Sequence, residues 1–143
     1  MWADALLQAE RAHLHRLLLW GVVSLIAGLV LLITAGRPRR SPLIFHFAAQ
    51  TLAWGAVIAG VAAEELRSLV LRDLAGATRL DRFLWLNLGL DIGYVAVGAA
   101  IAATAWIVGR RQGGVGAGVA IVVQGLALAI LAARLIVLLE QSA

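Results

Sequence analysis

The 143-residue chain has no cysteine and no lysine, two prolines, one tyrosine and few charges of any kind. Without cysteine there can be no disulfide exchange, thiolate nucleophile, cysteine zinc site or thiolate-held iron–sulfur cluster. Charged residues are 14% of the chain and hydrophobic residues 62%, whereas soluble domains carry roughly 25% charge. The sequence also lacks a Ser-His-Asp set, a carboxylate cluster, metal-ligand spacing and a phosphate-binding loop. It therefore predicts a protein that is not an enzyme and holds no cofactor or metal.

What the chain does have is four long apolar stretches, at about 17–35, 43–63, 83–109 and 115–139. Each can cross a ~30 Å hydrocarbon core at a rise of ~1.5 Å per residue. Little chain remains outside them. The expected fold is an all-α membrane protein, a single domain over 1–143. It forms an antiparallel up-down-up-down bundle of four transmembrane helices, preceded by a short interfacial helix. That first helix covers residues 2–16 and runs straight into the first span, with Ala5, Leu6, Ala9, Ala12 and His13 on one face and Gln8, Glu10 and Arg11 away from it. Arg11 and Arg16 ahead of an apolar run resemble the start of a signal peptide. The run is longer than the roughly 7–15 residues of such a segment, so it is expected to be retained.

Proline punctuates the turn at Arg37–Pro42. The connection over 64–82 repeats Leu66, Leu69, Val70 and Leu74 at helical spacing, which predicts a short surface helix ending near Gly76. Trp85 and Trp106 stand 21 residues apart, about 31 Å along a helix, which places one in each membrane interface. Arg110–Gly114 reads as a turn.

The net charge is +4, from twelve arginines against eight acids. Those arginines sit mostly at helix ends, where they anchor to lipid headgroups, so the lipid bilayer and not nucleic acid is the expected partner. Orientation is nearly balanced. Arg11, Arg16, Arg67, Arg72, Arg79 and Arg82 lie on the side of the termini, and Arg37, Arg39, Arg40, Arg110 and Arg111 on the other. The small excess places both termini in the cytoplasm, with the chain in the cell inner (plasma) membrane.

Small residues recur at four-residue spacing: Gly89 and Gly93; Gly114 and Gly118; Gly125, Ala129 and Ala133; Ala56 and Gly60; Ser24 and Gly28. Such spacing lets helix backbones approach closely. It serves contacts inside the bundle or contacts with a second copy. Among the polar groups, Asp91 stands about 12 Å into the third stretch and shares a face with Asn87, Tyr94, Gly98 and Ala102, all within about 60° on a helical wheel. Arg134 lies at a similar expected depth on the fourth stretch, which predicts an Asp91–Arg134 ion pair, since a lone charge at depth costs roughly 2.5–3.5 kcal/mol or more. Arg134 has the alternatives of snorkelling to the interface or pairing with Glu64 or Glu140. Gln50 and Gln124 are expected at one depth, bonded to each other, with His46 on the same face. A bis-histidine haem is not expected, because His13 and His15 lie on the opposite side.

Asn87-Leu-Gly-Leu-Asp91-Ile-Gly-Tyr94-Val-Ala-Val-Gly98, Gly116-x-Gly118 and Val123-Gln124-Gly125 resemble an uncharacterised family of small prokaryotic four-helix membrane proteins, a domain of unknown function. Phe45-His46-Phe47 through Gln50 and Trp54-Gly55 resemble its second helix. The resemblance implies the four-helix fold and no particular activity. It also implies an acid two turns after Gln124-Gly125, where this chain has Arg134. The expected function is that of a non-enzymatic membrane protein acting through helix contacts, as an accessory subunit of a membrane complex or a homo-oligomer. The alternative is a small dimeric proton-coupled transporter using Asp91.

Overall fold

The computed structural model describes residues 2–142. Those residues form four helices: α1 Trp2–Thr34, α2 Pro42–Ser68, α3 Leu74–Ile107 and α4 Gln112–Ser142. There is no strand among them. All four are long and apolar enough to cross a membrane, as a multi-pass membrane protein requires. They span 33, 27, 34 and 31 residues, or roughly 40–51 Å each. That exceeds a ~30 Å core, so each helix has turns to spare.

Residues 2–16 run straight into the first apolar stretch as one helix, as the sequence predicts. Other boundaries depart from the sequence reading. The separate helix expected within 64–82 is absent. Instead α2 continues to Ser68, residues 69–73 are non-helical, and α3 starts at Leu74. The Asp73 side chain sets that start by accepting a hydrogen bond from the Gly76 amide at 2.7 Å, which satisfies one of the exposed N–H groups of the first turn. Gly76 thus opens a helix where it was expected to close one. At the other end of α3, Gly109 and Arg110 adopt positive φ, 144° and 51°. The Arg110 and Arg111 amides bond back to the Trp106 and Ala105 carbonyls, so the chain reverses quickly and α4 already begins at Gln112.

The backbone of α4 approaches α1, α2 and α3, and α1 lies along α2. By contrast, the backbone of α3 comes close to α4 alone. Glycine sets the closest crossings. A Cβ added at Gly118 would stand 2.5 Å from the Gly98 carbonyl oxygen, and one at Gly98 would stand 2.7 Å from the Gly118 carbonyl oxygen. Each of the two is needed for the other. Between α1 and α2, a Cβ added at Gly21 would meet the Ala59 backbone, and one at Gly55 would meet the backbone of Leu25 and the Gly21 carbonyl oxygen. At the end of the bundle where α1 and α3 begin and α4 ends, the packing changes. There Leu6, Leu80, Leu84, Leu135 and Ile136 form a buried cluster, flanked by Ala9, Ala77, Leu88 and Leu139.

Candidate functional site

Asp91 is carried on the packed stripe of α3, between Leu84 and Gly98. Its residue is 7% exposed, and α4 presents Gly125 there: a Cβ at Gly125 would stand 2.9 Å from the Asp91 backbone oxygen. The Asp91 carboxylate has no hydrogen bond or ion pair among the described residues. The expected partner, Arg134, is exposed. Gly125 fixes the reason. Arg134 follows it by nine residues, which on a helix is about 13 Å along the axis and about half a turn round. Equal depth counted from the ends of the apolar stretches therefore did not place the two side chains face to face.

Asn87, one turn before Asp91, is half-buried, and its side chain makes no hydrogen bond among the described residues. Tyr94 is 39% exposed and turns toward α2, where its ring meets Trp54 edge-on at 5.3 Å between centroids. The gap lined by Trp54, Tyr94, Gln124 and Gly125 is too narrow for a water molecule.

Gln124 is 2% exposed, and its partners are on α1. The Trp20 indole Nε1–H donates to Gln124 Oε1 at 2.8 Å, and Gln124 Nε2 donates to Ser24 Oγ at 3.2 Å. The expected bond to Gln50 is not made; Gln50 is half-buried without a hydrogen-bond partner. His46 is exposed, close to Gly113 near the start of α4, and edge-on to Phe45. It does not join Gln124. The Trp20–Ser24 pair was readable in principle, being four residues apart on the α1 face that also carries Gly21 and Gly28. On α2, the Thr51 hydroxyl is buried with no partner.

Sequence reasoning also missed Glu10. It was expected to point away from the packed face, yet it is 4% exposed. Arg72, in the segment between α2 and α3, donates from Nε to Glu10 Oε2 at 2.8 Å and from Nη2 to Oε1. This two-pronged contact holds the Arg72 guanidinium above its ordinary pKa. It fastens the connecting segment to α1. The partner comes from 62 residues away in the chain, beyond the reach of any local pattern.

The arrangement thus offers one partnerless buried carboxylate, one satisfied amide node and one fastening ion pair. No group of three or more histidines or acids among the described residues is placed to hold a metal ion. No curated protein and no solved structure matches the chain. A family model for proteins of unknown function, DUF6992, matches residues 16–132, which include Asp91, Gln124 and every interhelical glycine described above, and the chain belongs to that family.

Proposed function

We propose that this protein is a non-enzymatic component of the cell inner membrane that works by helix contact. In this reading it is an antiparallel up-down-up-down bundle with cytoplasmic termini and a stretch of α1 at the interface, and it associates with a second copy through the outer face of α3. One observation carries the reading. Gly89 and Gly93 have nothing within 4 Å of an added Cβ, as does Gly60 on α2, whereas Gly21, Gly28, Gly55, Gly98, Gly118 and Gly125 are used for close packing. They lie about 160° from Asp91 on the wheel, diametrically opposed to the face that meets α4. Ala96 and Ala100 continue the stripe, and both are exposed. In lipid such a stripe gains from a second backbone, since burying large apolar side chains there yields little.

The absence of cysteine makes the test clean. In native membranes treated with a mild oxidant, Ala96→Cys and Ala100→Cys should give disulfide-linked dimers, whereas Val57→Cys on the outer face of α2 should not. Adding Gly93→Leu should abolish the cross-link without lowering the detergent melting temperature. Equal cross-linking at all three positions, or none at any, removes the dimer reading. A linked species of another mass would assign the face to a different membrane subunit.

A second reading is favoured by Asp91 itself. A buried carboxylate with no ion pair is what a proton-coupled transporter needs, and Arg134 does not neutralise it. Against this, the gap beside Tyr94 and Gly125 admits no water. Proteoliposomes with an imposed pH gradient and a panel of organic cations separate the readings: flux lost in Asp91→Asn would establish transport.

A further inference from the structure

At the leucine-packed end of the bundle, α1 and α3 both rest on α4 while their backbones stay apart. The space left between them is a cleft of about 740 Å³, within the range of roughly 300–1,000 Å³ typical of small-molecule sites. Leu6 and Leu74 line it with apolar surface, and the indoles of Trp2 and Trp85 stand in its wall. Two carboxylates, Asp81 from α3 and Glu140 from α4, also face it. Neither has a hydrogen bond or ion pair among the described residues. No arginine is among the lining residues described, although Arg79 and Arg82 flank Asp81 in the chain. Helical geometry turns them about 160° and 100° away from it. In a chain with twelve arginines and a net charge of +4, a cavity with two unpaired acids and no base stands out.

We propose that this cleft binds a lipophilic organic cation, with the charge held between Asp81 and Glu140 and the apolar body against the indoles and leucines. Indole faces attract a cation through their quadrupole while offering apolar area, and the carboxylates supply the complementary charge. An anion would meet two negative groups with no basic side chain among the lining residues to compensate. A neutral apolar molecule would leave both carboxylates without a partner. Two sources share the required chemistry: a free quaternary ammonium or phosphonium ion, and the ammonium headgroup of a membrane lipid. Trp85 stands one turn before Gly89 on the same side of α3, so the site adjoins the proposed dimer face; its lining comes from a single chain and the proposal does not rest on dimer formation.

Tetraphenylphosphonium is a suitable probe, with the full-length protein in a neutral maltoside detergent. Saturable binding near one ion per chain is expected. Affinity should fall about tenfold in Asp81→Asn/Glu140→Gln and by a similar factor in Trp85→Ala, the scale of a partly desolvated cation–π contact. Asp81→Glu should restore most of the loss seen in Asp81→Asn. Val57→Ala, on the outer face of α2 and not among the residues lining the cleft, should bind as the wild type does. Circular dichroism and melting of each variant separate lost binding from lost folding. The second arm is native mass spectrometry from nanodiscs of phosphatidylethanolamine or phosphatidylglycerol. Selective retention of phosphatidylethanolamine, displaced by the phosphonium, identifies a lipid headgroup as the occupant. Phosphonium binding without such retention identifies a free cation. Non-saturable binding, or binding unchanged by loss of both carboxylates, overturns the proposal.

Discussion

Around Gly98 and Gly118 the backbones of α3 and α4 touch, whereas around Leu84 and Leu135 leucine side chains fill the space between helices. Leu6 of α1 joins the second region as a third wall. In water, burying a leucine gains about 1.5–3 kcal/mol, because apolar surface leaves the solvent. In lipid that gain is absent, and helices adhere through close van der Waals fit and interhelical hydrogen bonds. The glycine-packed middle with its Trp20–Gln124–Ser24 node follows the second rule, and the leucine cluster with its Glu10–Arg72 ion pair follows the first. The reading as a membrane bundle accounts for both. On the proposed membrane reading, Leu6 and Leu80 lie beyond the apolar stretches at 17–35 and 83–109, and Leu84, Leu135 and Ile136 just within theirs, so the leucine cluster would straddle the interface.

The largest effect should come from the middle. Gly118→Leu drives a side chain into the backbone at Gly98, with no flexible neighbour to yield. A loss of roughly 3 kcal/mol or more is expected, seen as loss of the cooperative melt in detergent; a tolerated leucine there would break the comparison outright. Leu84→Ala should cost about 2–4 kcal/mol by opening a cavity. Amide exchange should then rise in the first turns of α3 and stay unchanged around Gly98, since the two regions are packed independently. Next comes Arg72→Gln, which strands the buried Glu10 and should cost about 1–3 kcal/mol. The double variant with Glu10→Gln should recover most of that loss, and failure to recover would mean that Arg72 acts through packing alone. Smallest is the coupling between Asp91→Asn and Arg134→Gln. Their effects on melting should add, with an interaction below about 0.5 kcal/mol; a larger value would put the two charges in contact after all.

Much of the architecture was legible because hydropathy over twenty residues is a strong signal. All four helices coincide with the expected apolar stretches. The errors lie where a helix continues past its apolar part. Residues 74–82 carry Arg79, Asp81 and Arg82, so hydropathy drops while the helix persists, and the deciding feature is the single Asp73 cap. The polar partners were misassigned for a different reason. Counting along a span gives depth and says nothing of rotation, and rotation is set by which glycines meet. Gly125 turns Asp91 toward α4 and leaves Arg134 outside. Gln124 is turned toward α1 and away from Gln50. Glu10 looks like a solvated acid on an isolated wheel, and only the path of the 69–73 segment makes it a buried one. Half of the cleft between α1, α3 and α4 is built from Trp2, Ala5, Leu6, Leu139 and Glu140, outside the 16–132 match to the family, so the family pattern does not account for it.

The position of α4 in the bundle has a consequence for biosynthesis. The helix whose backbone meets all three others is the last of the four to emerge from the ribosome. The α1–α2 pair can close as soon as residue 68 has been inserted, through Gly21, Gly28 and Gly55. For α3 there is no such early neighbour: from the time it enters the bilayer until α4 follows, Asp91 has no Gly125 to cover it and the Gly98 notch is empty. On the proposed membrane reading, α3 inserted ahead of α4 would leave that carboxyl group uncovered by the bundle. The short turn at 108–111 limits how long that state lasts, because α4 begins within a few residues of the end of α3 and carries its own glycines straight to the waiting surface.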